Sequence, residues 1–171
     1  FLLVGNPLSN LDPLVTLAVL RDFEVPFVSK PENFKIPVVG TVMRNAAFLP
    51  VDRENPRNAV TTIKRSAELI KDVGLCVGIY PEGTRSKKGN EMNEFHGGSF
   101  RAATKSKATV LPVAFIDCFK VLDQKGSKPV GVQLHYLKPI PYEEYEGMKP
   151  AELATLVKER IQACIDENTL R

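Results

Sequence analysis

The chain has 171 residues, 43% of them hydrophobic and 25% charged, enough for one domain with a sizeable core. Its 23 Lys and Arg against 20 Asp and Glu leave a net charge of +3, too small to argue for nucleic acid but suited to anionic small molecules or a weakly anionic membrane surface. Three widely spaced cysteines and two histidines without ligand spacing speak against a disulfide framework and a zinc site, and no run of about 18 apolar residues offers a membrane span.

Residues 1–4 are apolar from the start and read as a strand already under way. The expectation is a single domain over 1–171, truncated at its N-terminus. Residues 14–21 read as a helix opened by Asp12-Pro13, because Asp caps free N–H groups and Pro tolerates the first helical position. Residues 25–29 read as a short strand. Residues 34–46 are ambiguous, with a short helix favoured after Pro37, and 48–51 form a strand ending at Asp52-Arg53. Asn55-Pro56 then opens an amphipathic helix with Val60, Ile63, Ala67 and Ile70 on one face, and Gly74 stops it. Residues 75–80 read as a strand and 86–93 as a polar loop. Residues 99–106 read as a helix led by Gly97-Gly98, and 109–116 as an apolar strand. A turn at 125–128 precedes an alternating, half-exposed strand at 130–137. The last element is a helix over 150–166 with Leu153, Leu156, Val157, Ile161, Cys164 and Ile165 inward. This alternation predicts an α/β fold with a mostly parallel central sheet flanked by helices.

Three strand ends look alike. Residues 4–12, 51–53 and 80–85 each leave an apolar strand and enter a polar turn or helix. In a parallel sheet all three turns share one edge, where ligands of such folds bind. Arg53 and Arg85 would flank a cleft that also holds Asp12 and Glu82, an arrangement suited to a small phosphorylated substrate. Gly83 lets backbone N–H groups approach an anion closely. Structural roles compete with each of these. Asp12 and Ser9 can serve as helix caps. Arg53 can pair with Asp52 or Glu54, and the turn at 81–86 can be a plain surface turn.

In order, these segments resemble the motifs of the glycerolipid acyltransferases typified by bacterial 1-acylglycerol-3-phosphate acyltransferase. The family's Asn-His-x-Ser-x-x-Asp block reads Asn6-Pro7-Leu8-Ser9-Asn10-Leu11-Asp12 here. Its second motif, an Arg after a strand, is matched by 48–53. Its Phe-Pro-Glu-Gly-Thr-Arg-Ser is matched by Tyr80-Pro81-Glu82-Gly83-Thr84-Arg85-Ser86, and its apolar strand with an internal Pro by Val110-Leu111-Pro112-Val113. Phe95-His96-Gly97-Gly98-Ser99-Phe100 resembles a further Phe-Lys-x-Gly-x-Phe pattern, with His96 in place of Lys. The resemblance implies a glycerolphosphate acyltransferase-like fold. It also implies transfer of an acyl group from acyl-CoA or acyl carrier protein, as co-substrate with no cofactor, to the hydroxyl of a lysophosphatidic acid-like acceptor in phospholipid synthesis. Direct transfer is expected, without a covalent acyl-enzyme. Asp12 would be catalytic, orienting the family's general-base His. Ser9, Arg53, Glu82, Gly83, Thr84 and Arg85 would bind substrate, the two arginines holding the acceptor phosphate, and Pro112 would help shape the cleft.

One position departs. The family's base falls at Pro7, which has no titratable group and no N–H. General-base catalysis contributes about 10²–10⁴-fold, so activity is expected to be impaired. Pro7 is compatible with a natural pseudoenzyme, an engineered inactive variant, a sequence error, or substitution by His96 through a rearranged loop; His135 is no obvious replacement. A second reading is a non-catalytic module that binds lysophospholipid or acyl donor. The acceptor's chemistry places the chain at the cytoplasmic face of a membrane, peripheral or anchored through a missing N-terminal segment. The apolar segment 34–48 and Lys35, Arg44, Lys87 and Lys88 are candidates for contact with that surface.

Overall fold

The computed structural model describes residues 1–9, 12–20, 23–52, 54–123 and 129–169. The expected turn at 125–128 and the candidate Arg53 lie outside them.

The first strand, β1 (Leu2–Gly5), lies at the centre of the molecule. It pairs in parallel with β4 (Val77–Ile79) on one side and with β5 (Val110–Ile116) on the other. Beyond β5, β6 (Gln133–Tyr136) runs antiparallel and closes that edge. This is the half-exposed strand that alternation in the sequence predicts. Strands β2 (Val28–Ser29) and β3 (Leu49–Pro50) pair in parallel with each other. A bridge between Phe27 and Gly78 fastens them to β4. The mostly parallel sheet is therefore as expected.

Residues alternate between the two faces of the sheet, and both faces are covered. Leu2, Val4, Val77, Ile79, Val110 and Ala114 share a cluster with Phe100, Leu153, Val157 and Ile161. On this side lie α3 (Pro56–Glu68), α4 (Arg101–Ser106) and the long α7 (Pro150–Thr169). Leu3, Val113 and Phe115 pack instead with Leu8, Phe27, Met43 and Phe48. That second face carries α2 (Val39–Asn45), and α1 (Asp12–Val19) contributes Leu17 to the same cluster. Burial on both faces explains why the parallel strands read as continuous apolar runs.

Local chemistry sets the helix ends. The Asn55 side chain accepts from the N–H groups of Arg57 and Asn58, with Pro56 in the first turn. A single wide turn at Leu69–Val73 extends α3 until Gly74, at φ +79°, ends it in a left-handed conformation. Two short helices, α5 (Lys120–Asp123) and α6 (Tyr142–Tyr145), were not read from the sequence. In α6 the buried Tyr145 hydroxyl donates to the carbonyls of Ala108 and Ala103, tying the approach to α7 back to the sheet. The thiols of Cys76, Cys118 and Cys164 are free and buried.

Candidate active site

Parallel pairing brings the C-terminal ends of β1 and β4 side by side, and the candidate residues gather there. As the chain leaves β1, Asn6 is fully buried. Its Nδ2 donates to the Phe115 carbonyl at 2.9 Å, and its Oδ1 accepts from the Phe115 N–H at 2.8 Å. The side chain thus continues the ladder where the strand stops. Pro7 follows, also buried, and its carbonyl accepts from the Ser86 N–H at 3.3 Å. This bond joins the first and third motifs directly.

Asp12 curls back under that loop. Its Oδ2 accepts from the N–H groups of Leu8 and Ser9, both at 2.7 Å. Its Oδ1 is buried without a hydrogen-bond partner among the described residues. Burial raises the Asp12 carboxyl from 3.8 to about 6, against the lowering effect of the Ser9 and Leu8 N–H groups and the Arg85 charge. The carboxylate thus ties down the loop before α1 rather than capping that helix, and it remains the catalytic candidate. One oxygen closes the turn and the other is left over.

The third motif forms a tight turn. Tyr80 stacks on Phe27 with centroids 5.3 Å apart and meets the edge of Phe115 at 6.1 Å. Burial, reinforced by the Asp12 charge, holds its phenol well above the ordinary value, so it is no base near neutral pH. Gly83 sits at φ +77° and donates its N–H to the Tyr80 carbonyl at 3.2 Å. That conformation favours glycine. Glu82 points inward and is 3% exposed. Its Oε2 accepts from the Asn93 N–H at 2.8 Å, while Oε1 has no hydrogen-bond partner among the described residues. Burial raises its carboxyl from 4.5 to about 7, with Asn93 and then Lys158 pulling the other way.

Two cavities share this turn. The first, about 300 Å³, opens between α3 and α4. Val28, Val51, Ala59, Val60, Ile63 and Ile79 make it apolar, and Tyr80, Pro81 and Gly83 also line it. Lys64, His96, Arg101 and Lys105 add polar groups. The second, about 370 Å³, is lined by Leu8, Ser9, Arg85, Ser86, Lys87, Gly89 and Phe119. Its Arg85 and Lys87 make it a suitable seat for an anion.

The structure brings Ser9 and Arg85 together in the second cavity and puts Gly83 on the first. Asp12 and Glu82 lie buried around the turn, where each fixes backbone N–H groups. Thr84 is exposed and lines neither cavity. Pro112 pairs with Val4 inside the sheet and likewise lines neither. His96 reaches the first cavity, donates its backbone N–H to Pro81 and makes no hydrogen bond to Asp12. Asn6 and Asn93 were missed as positioning groups. Asn6 stands inside the first motif, whereas no local pattern marks Asn93. The cations Lys64, Arg101 and Lys105 were also missed, since cavity-lining charges and solvated ones look alike in a sequence.

A family model described as "Acyltransferase" matches residues 1–116, and the chain belongs to that family. A chloroplastic 1-acyl-sn-glycerol-3-phosphate acyltransferase of Arabidopsis thaliana is 32% identical over 164 residues, covering 95% of this chain and 44% of that protein. The 1-acyl-sn-glycerol-3-phosphate acyltransferase of Borreliella burgdorferi is 25% identical over 164 residues, covering 94% of this chain and 64% of that one. Among solved structures, the 1-acyl-sn-glycerophosphate acyltransferase PlsC of Thermotoga maritima superposes with a TM-score of 0.81 at 26% identity, covering all of this chain and 67% of that chain. The chain spans about half the length of the curated relatives it matches.

Proposed function

We propose that the chain is the acyltransferase domain of a phospholipid-synthesising enzyme that acylates 1-acylglycerol 3-phosphate. The supporting observation is the pair of cavities sharing the turn at 80–86, one apolar and one bearing Arg85. An acyl chain suits the first and the acceptor phosphate the second. In the reaction the acceptor oxygen attacks the thioester carbonyl, the C–S bond breaks, and the proton leaves with the thiol. The donor is acyl-CoA or acyl carrier protein. Arg85 and Ser9 bind the acceptor, with Arg53 assigned the same task from its motif. Thr84 belongs to the phosphate-facing turn, and Glu82 and Gly83 hold that turn in shape.

Deprotonation is the missing element. Position 7 carries Pro, and Asp12, later in the same motif, keeps Oδ1 buried without a hydrogen-bond partner among the described residues. An imidazole at 7 would give that oxygen an N–H to accept, and Asp12 would then orient the base and stabilise its cation. This observation also favours a second reading, a domain that binds lysophospholipid or acyl donor without turnover. The experiment is Pro7→His, assayed with lysophosphatidic acid and acyl-CoA. A gain of about 10²–10⁴-fold supports the disabled enzyme. Retained binding of both ligands with no gain supports the binding domain, and binding of neither overturns both readings.

The acceptor's chemistry also calls for a membrane surface, on its cytoplasmic side. No helix among the described residues is long and apolar enough to cross a membrane. Ile36, Val38 and Val42 are exposed around the start of α2, next to Lys35, and fit peripheral contact with lipid.

A further inference from the structure

Three cations line the apolar cavity, and the reaction chemistry described so far uses none of them. Arg101 and Lys105 lie one turn apart on α4 and both reach the cleft. At a spacing of four they share one helix face. Lys64 enters from α3 across the same opening. Neither Arg101 nor Lys105 has a salt-bridge partner among the described residues. Among the described residues the one ion pair of Lys64 is an exposed contact with Glu68 at 3.8 Å, which holds it weakly. An apolar slot of about 300 Å³ bearing three such charges suits a ligand with an apolar arm and several phosphates.

We propose that Lys64, Arg101 and Lys105 form the phosphate site for a coenzyme A thioester, whose acyl and pantetheine portions run into the apolar cavity. The assignment rests on the acyltransferase reading above. It gives the donor and acceptor phosphates separate seats, since Arg85 and Lys87 already provide an anion seat in the other cavity. It also sets a direction. A donor entering past α4 would bring its thioester toward Tyr80, Pro81 and Gly83, the segment shared with the acceptor side. A free nucleotide tail is favoured over a carrier protein because the three charges converge on one concave cleft. A stable protein interface needs roughly 800 Å² on each partner.

The test measures binding, so that it does not depend on position 7. The full chain is titrated with an S-hexadecyl coenzyme A thioether, with lysophosphatidic acid and with hexadecyl-loaded carrier protein. The same titrations are made on Arg101→Ala/Lys105→Ala and on Lys64→Ala. Both changes fall on exposed side chains, and circular dichroism checks that the variants fold. The expected result is a loss of tenfold or more in thioether affinity for the double variant and a smaller loss for Lys64→Ala. Lysophosphatidic acid should stay within twofold, and the salt dependence of thioether binding should flatten. Equal thioether affinity in wild type and variants overturns the proposal alone. So does a loss confined to lysophosphatidic acid, which would make the three cations an acceptor site, or a loss confined to carrier protein. If wild type binds none of the three ligands, the acyltransferase reading falls and this proposal falls with it.

Discussion

Asn6 and Phe115 exchange two hydrogen bonds across the end of the central strands, 2.9 Å from Nδ2 to the carbonyl and 2.8 Å from the N–H to Oδ1. Both residues are fully buried, so no water is at hand to replace either bond. The pair fixes the chain immediately before position 7, and with it the Asp12 turn. Asn6→Ala leaves a buried N–H and a buried carbonyl unpaired, each costing about 1–3 kcal/mol. A total loss of about 2–6 kcal/mol in denaturant unfolding is expected. A change within about 0.5 kcal/mol would show that the loop is held by something other than this pair.

Glu82 predicts a pH-dependent stability. Its carboxyl titrates at about 7 in the folded chain against 4.5 without burial, so the folded state holds this proton more tightly than the unfolded state. Its contribution is greatest below 4.5 and is lost as the pH rises to about 7. The change from 4.5 to about 7 corresponds to a ceiling of roughly 3 kcal/mol. Glu82→Gln keeps an oxygen for the Asn93 N–H and removes the charge. The variant should therefore gain on wild type at pH 8 and show little difference at pH 4.5. Unfolding curves at the two pH values check this; an equal difference at both would mean that the carboxylate is not strained by burial.

The layout of the sheet was legible because burial on both faces writes itself into sequence as apolar runs. The runs at 1–4, 75–80 and 109–116 hold the paired strands Leu2–Gly5, Val77–Ile79 and Val110–Ile116. The N-cap at Asn55 and the stop at Gly74 were legible because each is a local matter of backbone groups and φ. Asp12 was expected to cap the helix it opens, but its Oδ2 accepts from the N–H groups of Leu8 and Ser9, which precede that helix. Partner choice was not. Gly78 is needed because the Phe27 ring lies 2.3 Å from where a Cβ would stand, and that ring arrives from a different strand. The inward turn of Glu82 depends on Asn93, eleven residues away. The helical face read between Pro56 and Gly74 was only partly right. Ala67 and Ile70 are buried and Ile63 packs against the core, but Thr62 and Ser66 are buried too, while Val60 is 56% exposed. The Thr62 hydroxyl donates to Pro50 and that of Ser66 to Thr62, so two polar residues are satisfied inside and leave the apolar one outside. Arg53, half of the expected phosphate clamp, falls outside the described residues.

Arg85 carries the prediction for acceptor binding. It is exposed, lines the polar cavity beside Ser9 and lowers the Asp12 carboxyl through its charge. Arg85→Ala removes a charge-assisted contact to phosphate worth about 1.5–3 kcal/mol, roughly a 10- to 100-fold loss of affinity for lysophosphatidic acid. Monoacylglycerol, which lacks the phosphate, should bind wild type and variant alike. Equal affinity of the two proteins for lysophosphatidic acid would remove Arg85 from the site.

Val60 tests the apolar cavity by filling it. It lies on α3 with its side chain largely open to solvent, yet it forms part of the cavity wall with Ala59 and Ile63. A residue so exposed contributes little to folding, so Val60→Trp should alter unfolding by no more than about 0.5 kcal/mol. The added indole has only about 300 Å³ to enter and would displace several methylenes of a bound chain. Each buried methylene is worth about 0.8 kcal/mol, so affinity for a hexadecyl ligand should fall by tenfold or more, while a butyl or hexyl ligand loses little. The measurement is a chain-length series bound to wild type and variant. Parallel losses at every length would place the chain elsewhere, because only an obstructed channel discriminates by length.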